Sequence, residues 1–156
     1  MSKLHQYFSI FPELRVLSIV YNNLDGHISQ HITNLTKLYV LDLSNNKFSG
    51  RIPMHLERFS SFANVSDDGD LLGDVEIDMK GRDYAISYLN PTNIIFDLSC
   101  NNITGKIPTS ISSMSHLRLL NLSHNKLEGQ IPTSLSGISS LEQFDLEKNN
   151  LTGTIP

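Results

Sequence analysis

Residue types that catalyse reactions or bind metals occur in this chain, but not at the spacings that those chemistries need. His27 and His31 are four residues apart, yet the glutamate of an H-E-x-x-H zinc motif is absent and little nearby predicts a helix. Asp67, Asp68 and Asp70 cluster, but they lack the ordered loop and bidentate glutamate of a calcium-binding EF-hand. We therefore expect a non-enzyme that has no catalytic residues and holds no metal or cofactor.

The composition is that of one packed domain with no obvious polyanionic partner. The chain has 156 residues, 39% of them hydrophobic, and a formal net charge of −4, which predicts no basic patch and argues against nucleic acid. Its single cysteine, Cys100, excludes an internal disulfide and has no neighbouring base to activate it. No segment approaches the roughly 18 apolar residues of a membrane span, and the N-terminus lacks the apolar core of a signal peptide.

An internal repeat organises the chain, and its period of about 24 residues is in the range typical of solenoids. Each copy begins with an apolar residue and then has an apolar residue at +2, Asn at +5, an apolar residue at +7, Gly at +9 and Ile at +11. The five copies begin at Leu17, Leu41, Phe96, Leu120 and Phe144. Five copies in the same phase predict a solenoid in which each repeat buries its apolar face against its neighbours.

Each recurring residue type has a physical role in such a stack. Apolar residues two apart point to one face of a short strand, and stacked copies pair these strands in parallel. The Asn can satisfy backbone groups where the chain turns, and the Gly suits tight backbone with positive φ. We therefore predict an α/β repeat solenoid, a curved horseshoe with a short parallel β-sheet on its concave face.

The repeat is interrupted once. The interval from Leu41 to Phe96 is more than twice the repeat period, so a segment longer than one whole repeat is inserted, roughly Ala63 to Thr92. This predicts three parts: repeats over 1–62, a non-repeat segment over 63–92 and repeats over 93–156. The segment holds seven of the chain's sixteen acidic residues.

A β-hairpin is predicted within the inserted segment. Val75, Ile77 and Met79 alternate with charged residues, as in a half-buried strand. Gly81-Arg82 can turn, and Tyr84, Ile86 and Tyr88 continue the alternation. Long insertions cost little closure entropy, so an insertion without function stays open as an alternative.

Two stretches resemble a known family. LRLLNLSHNKLEGQIPTSLSGISSL, Leu117 to Leu141, resembles the plant-specific extracellular leucine-rich repeat, L-x-x-L-x-L-x-x-N-x-L-x-G-x-I-P. The pair Lys80-Gly81 followed by NIIFDLSCNNITGKIP resembles the plant receptor-like proteins, in which a non-repeat island interrupts the array a few repeats before its end. The chain departs from the pattern at Ser29, where Pro is usual, and at Leu71, where many members have Tyr.

The resemblance implies a ligand-recognition module. In the family, the island and the neighbouring concave surface bind a peptide or protein ligand, and the following repeats contact a co-receptor kinase. It implies ligand-binding residues in the island and in the repeats after it: Lys80, Gly81, Arg82, Tyr84, Tyr88, Arg118, His124, Gln143 and Lys148. We expect most Asp and Ser side chains of the concave wall to be ordinary solvated residues.

The chain also contains glycosylation sequons, N-x-[ST], which suit a secreted surface. Asn64 is independent of the repeat consensus, whereas a glycan on Asn121 would point into the concave wall. The predicted sites are Asn34, Asn64, Asn102, Asn121 and Asn150.

The family resemblance implies signalling or defence at the extracellular face of the plasma membrane. Because both ends fall inside a repeat and neither has a cysteine cap, we expect the chain to be part of a longer protein. Two alternatives remain: a secreted enzyme inhibitor similar to the plant polygalacturonase inhibitors, and a truncated product with no independent role.

Overall fold

The structure is a computed structural model that describes residues 11–59, 75–79, 82–86 and 93–156. Within these ranges the chain forms twelve short strands in three sheets, and its helical turns are 3-10 helices rather than α-helices. The strands are β1 (Val16–Ser18), β2 (Asp25–His27), β3 (Val40–Asp42), β4 (Lys47–Gly50), β5 (Val75–Met79), β6 (Arg82–Ile86), β7 (Ile94–Asp97), β8 (Asn102–Gly105), β9 (Leu117–Asn121), β10 (Lys126–Gln130), β11 (Gln143–Asp145) and β12 (Asn150–Thr152). The 3-10 helices are Gln30–Asn34, Thr109–Ser113 and Thr133–Gly137, with a further turn over 56–59.

The first sheet confirms the predicted parallel stack. Its order is β1-β3-β7-β9-β11, one strand from each repeat, and equivalent positions face each other across the strands. Leu41 of β3 pairs with Phe96 of β7, although the whole inserted segment separates them in sequence. The chain between these strands therefore leaves the sheet and returns to it without breaking the stack.

A second parallel sheet, of order β12-β10-β8-β4-β2, was not predicted. Each repeat contributes one of its strands, built from the residues around its +7 and +9 positions. The strands of this sheet do not pair at equivalent repeat positions. Asp25 pairs with Lys47 and Thr104 pairs with Lys126, so each residue pairs with a residue two positions before its equivalent in the next repeat. Each repeat is therefore hydrogen-bonded to its neighbours on two sides.

The apolar core lies inside the coil of the stack. The strand residues at the first and +2 positions point inward, and Leu98, Leu120 and Leu122 have no exposed surface. Phe59, from the 56–59 turn, packs edge-to-face on Phe96 with 6.3 Å between ring centroids. The inward face predicted from the period-2 pattern is therefore confirmed.

The asparagines at +5 act as predicted on the backbone of the turn. The Nδ2 of Asn101 donates to the carbonyl oxygens of Leu43, Leu98 and Ser99 at 3.0 to 3.2 Å. Its Oδ1 accepts a hydrogen bond from the backbone N–H of Phe48 at 2.9 Å. Since Leu43 and Phe48 belong to the preceding repeat, Asn101 joins two repeats as well as closing its own turn. Asn46, Asn125 and Asn149 bond in the same way, whereas Asn22 of the first repeat donates to Val20 alone among the described residues.

The glycines at +9 have φ between +79° and +93°, as predicted. The residue just before each +5 asparagine also has positive φ, between +51° and +54°, which was not predicted because these residues are not glycines. They are Tyr21, Asn45, Cys100, His124 and Lys148. The left-handed conformation turns the chain sharply after the first sheet, at some cost to an L-residue.

The predicted hairpin is present as backbone. β5 and β6 pair antiparallel in a sheet of their own, with Ile77 opposite Tyr84 and Val75 opposite Ile86. Arg82, predicted at the turn, is a strand residue opposite Met79. The predicted boundaries of the inserted segment lie outside the described residues and stay predictions.

Candidate functional site

The register of the first sheet assembles side chains from all five repeats on its outward face. We call this face the wall. It consists of three rows that run across the strands: Val16, Val40, Ile95, Leu119 and Gln143; Ser18, Asp42, Asp97, Asn121 and Asp145; Val20, Ser44, Ser99, Ser123 and Glu147. In the first row, the sequence analysis singled out Gln143 but not the four apolar residues, although this position recurs one residue before each repeat's first apolar position.

The centre of the wall is buried, which corrects the expectation that its Asp and Ser side chains are solvated. Val40, Asp42 and Asp97 have no exposed surface, and Ser44 and Asn121 are 1% exposed. Parallel sheets normally have both faces covered by other parts of the chain, which buries side chains on either side. The wall is open to solvent only toward its ends, where Ser18, Gln143 and Glu147 are exposed.

Two buried carboxyl groups lie side by side at the centre of the wall. Asp42 and Asp97 are register partners on neighbouring strands. Asp97 accepts hydrogen bonds from the Ser99 backbone N–H at 2.8 Å and from Nδ2 of Asn121 at 3.0 Å. The pKa of Asp97 is raised to about 6, chiefly by burial and also by the neighbouring charge of Asp42, while the hydrogen bonds from Ser99 and Asn121 act to lower it. The pair can therefore hold a proton near neutral pH.

The predicted residues of the later repeats form two groups rather than one. His124 and Lys148 occupy the same position in adjacent repeats, and Nε2 of His124 lies 3.3 Å from Oε1 of Glu147. Arg118 lies at the opposite end of β9, where it donates to Oδ1 of Asn93 at 3.0 Å and pairs with Glu142. A ligand that contacts both groups must therefore extend along the full length of the strands.

Gln143 lies between these two groups. It is the register partner of Leu119 and is exposed at the accessible end of the wall. Of the predicted inserted-segment residues, Arg82 and Tyr84 lie on β6, whereas Lys80, Gly81 and Tyr88 lie outside the described residues. Their role in binding stays a prediction.

The predicted glycosylation sites differ in accessibility. Asn34 and Asn150 are exposed and Asn102 is half-buried. Asn121 is buried, and its Nδ2 donates a hydrogen bond to Asp97. The sugar-transferring enzyme would have to break that bond to reach Asn121. Asn64 lies outside the described residues.

The second sheet carries a group of cations where the net charge predicted no basic patch. Lys47 and Lys126 are at +6 of their repeats, and Arg51 and Lys106 are at +10. All four side chains are exposed. Their recurrence at two repeat positions was a readable signal, which the sequence analysis missed because it considered net charge and the wall only.

The remaining chemistry-bearing residues are dispersed. His27 is on β2, whereas Nδ1 of His31 lies 3.1 Å from Oγ of Ser29. In the described part of the chain, no three His, Cys, Asp or Glu side chains come together in a way that would hold a metal ion. A search of the same residues finds no helix with the length and hydrophobicity of a membrane span.

Comparison with known proteins identifies the same repeat that the sequence and the structure show, the leucine-rich repeat. Two profiles of the leucine-rich repeat family match residues 37–59 and 95–151. Receptor-like protein EIX2 of Solanum lycopersicum is 35% identical over 110 residues, which is 70% of this chain and 10% of the relative. The chain thus spans about a tenth of that relative's length.

Solved receptor ectodomains share the fold. The plant peptide hormone receptor RGFR1 in complex with RGF2 superposes on 92% of this chain with a TM-score of 0.69 and 27% identity, and 18% of the receptor is covered. The Arabidopsis receptor kinase HAESA, in complex with the peptide hormone IDA and the co-receptor SERK1, superposes on 97% of this chain with a TM-score of 0.70 and 28% identity. This match covers 20% of HAESA.

Proposed function

Because the chain belongs to the leucine-rich repeat family and is homologous to plant receptor-like proteins, we propose that it is a ligand-recognition module of a cell-surface receptor. The single observation that carries the proposal is the accessible end of the wall at β9 and β11. There, Gln143 and Lys148 are exposed and Arg118 and His124 of the preceding repeat are half-buried, whereas the centre of the wall is buried. The likeness to ectodomains solved with peptide hormones supports a peptide or protein as the ligand.

We propose that the ligand is bound jointly by the inserted segment, residues 63–92, and by this end of the wall. In this proposal Gln143 and Lys148 contact the ligand directly, since both are exposed. Arg118 and His124 contribute less freely, because each is half-buried and paired with a glutamate. The acidic composition of the inserted segment favours a ligand with basic groups.

The partner we propose for the repeats after the insertion is a co-receptor kinase ectodomain. HAESA, whose fold this chain shares, is solved with the co-receptor SERK1. We also propose a role in signalling or defence, glycosylation at the exposed Asn34 and Asn150, and location at the extracellular face of the plasma membrane. The homology to receptor-like proteins supports these three statements together.

Titration with the SERK1 ectodomain tests the proposal. The full chain is compared with Gln143→Glu/Lys148→Glu, which reverses the charge at the open end of the wall, and with a chain whose residues 63–92 are replaced by a Gly/Ser linker. Binding is measured by interferometry. We expect the double substitution to weaken binding at least about tenfold, since it changes the charge of two exposed side chains at the proposed interface.

Arg58→Gln is the control, because Arg58 lies on the 56–59 turn and bonds to Asn34, away from the wall. Equal binding by all four proteins would remove both the wall and the inserted segment from the interface. Inhibition of a pectin-degrading enzyme without SERK1 binding would favour the enzyme-inhibitor alternative.

A further inference from the structure

The outward face of the second sheet is entirely polar at its three central strands. Alternate residues of β4, β8 and β10, and of the segments that follow β4 and β8, point outward because the intervening Phe48, Ile103 and Leu127 are buried. The outward residues are Lys47, Ser49, Arg51, Asn102, Thr104, Lys106, Lys126, Glu128 and Gln130. The face therefore offers a ligand charges, hydroxyls and amides, and no apolar or aromatic side chain.

Four of these residues form a basic strip: Lys47, Arg51, Lys106 and Lys126. None of the four has an ion pair or a side-chain hydrogen bond in the structure as described, whereas Lys37 pairs with Glu13. Glu128 is the acid within the set, so the strip is positive overall on a chain whose net charge is −4. Unpaired cations gathered on one face favour an anionic ligand.

The packing of the repeats holds two of these cations in a fixed direction. A Cβ added to Gly105 would lie 3.1 Å from Cγ of Arg51, and one added to Gly129 would lie 3.1 Å from Cγ of Lys106. Each stem therefore lies across the glycine of the following repeat, with its charged end toward solvent. Such prior ordering lowers the entropy that a ligand must overcome on binding.

The hydroxyls between the cations are oriented as acceptors. Oγ of Ser49 donates to the carbonyl of Gly26 at 3.3 Å, and Oγ1 of Thr104 donates to that of Gly50 at 3.1 Å. Since their hydrogens are used within the sheet, the lone pairs that remain can accept from hydroxyl groups of a ligand. Thr104 is also the register partner of Lys126, so an acceptor and a cation are neighbours across the strands.

We propose that the basic strip binds an acidic polysaccharide, a polymer of uronic acid that carries one carboxylate per sugar. Its carboxylates match the cations, and its hydroxyls match the acceptors between them. Surfaces that insert into membranes present apolar side chains, and single-stranded nucleic-acid sites present aromatic side chains for base stacking; the nine outward residues include neither. Hot spots of protein interfaces are enriched in Trp, Tyr and Arg, and Arg51 is the one residue of these types among the nine.

Affinity measurements with polygalacturonate as the probe test this inference. The chain is produced without N-glycans, because Asn102 and Asn150 lie on the second sheet. Arg51→Gln/Lys106→Gln removes two charges but preserves the packing, since Gln130 already lies across Gly153 in the native chain with its Cγ 3.1 Å from an added Cβ. We expect the Kd of this double variant to rise about tenfold, or roughly threefold per exposed charge pair lost.

A matched control removes the same charge elsewhere. Lys37→Gln/Arg58→Gln lowers the net charge equally at residues that already have partners, and its Kd should change less than about twofold. Fully methyl-esterified polygalacturonate has the same sugars without the charges and should not bind. Circular dichroism melting of both double variants verifies that the fold is retained.

Three results would overturn the proposal. Absence of binding to polygalacturonate, or equal weakening in both double variants, would remove the basic strip as a site. Dextran sulfate that binds the native chain as tightly as polygalacturonate would leave a charge-driven surface with no preference for carboxylated sugars. These results are independent of the SERK1 titration, because that experiment alters residues of the wall and the inserted segment rather than of the second sheet.

Discussion

At the scale of single residues, buried polar groups hold the repeats together through bonds that cross from one repeat to the next. Asn101, which is 8% exposed, makes four hydrogen bonds, and two of them, with Leu43 and Phe48, cross to the preceding repeat. Such asparagines contribute to stability chiefly because removing one would leave buried backbone groups without a hydrogen-bond partner. Each unpaired buried donor or acceptor costs about 1–3 kcal/mol.

Replacing Asn101 with Ala should therefore destabilise the chain by about 3 kcal/mol or more, since several backbone groups lose their partner together. Asn22→Ala is the matched control, because Asn22 is exposed and donates one bond, to the carbonyl of Val20 at 2.8 Å. It should cost about 1 kcal/mol or less. Urea unfolding measures both, and equal losses would contradict the role assigned to the buried asparagines.

Asp97 makes stability depend on pH. Its pKa is raised from 3.8 to about 6 in the folded chain, chiefly by burial, so the folded state holds more protons than the unfolded state between these values. The free energy of unfolding should therefore decrease as pH rises from 3.8 to 6, by up to about 3 kcal/mol from this residue alone.

The measurement compares urea midpoints at pH 4, 5, 6 and 7 for the native chain and Asp97→Asn. The difference between the two proteins isolates the contribution of Asp97 from that of the other acids. We expect the native chain to lose stability relative to the variant between pH 4 and pH 6. A pH-independent difference would show that Asp97 ionises as an ordinary carboxyl group.

At the scale of elements, the second-sheet strands contain, end at or directly precede a glycine with positive φ. The glycine at +9 ends the second-sheet strand in β4 and β8 and lies inside β10. Gly105 has φ of +80°, and a Cβ added to it would lie 3.1 Å from Cγ of Arg51 in the preceding repeat. The conformation therefore favours glycine there, and a larger residue would also displace the Arg51 side chain slightly.

Gly105→Ala should accordingly cost about 1–2 kcal/mol, from the left-handed conformation and from displacement of Arg51. Gly137→Ala provides a contrast, because its φ is not positive and an added Cβ would meet nothing within 4 Å. It should be neutral or stabilising by up to about 1 kcal/mol. Thermal melting of the two variants checks this, and similar losses would contradict the argument.

At the scale of the whole molecule, stability is distributed along the stack. β7 is fully buried, whereas β1 and β11, at the two ends of the first sheet, are half-buried or exposed. Each repeat contacts only its neighbours, so an end repeat has one stabilising interface where a central repeat has two.

Hydrogen exchange should reflect this gradient. Amides of β7 and β9 should exchange at least about tenfold more slowly than those of β1 and β11, because the end repeats open without unfolding the centre. Mass spectrometry on peptides that cover each strand measures the rates. Uniform protection across the five strands would indicate that the stack unfolds as a single cooperative unit.

Much of the architecture follows from the local pattern. The repeat period predicted the parallel stack, the inward leucines, the bonding role of Asn101 and the positive φ of Gly105, because each depends on residue type at a fixed spacing. The alternation over 75–79 and 82–86 likewise predicted the hairpin pairing of β5 and β6. In each case the deciding interaction lies within one repeat or between identical positions of adjacent repeats.

Burial of the wall and placement of charge were decided by the tertiary structure. The sequence analysis expected most Asp and Ser side chains of the wall to be solvated, whereas the folded chain buries Asp42 and Asp97 completely. The second sheet arises from a register displaced by two positions, and this brings Lys126 beside Thr104. Such neighbours depend on how one repeat is displaced against the next, and a repeat pattern specifies the period of a stack but not that displacement.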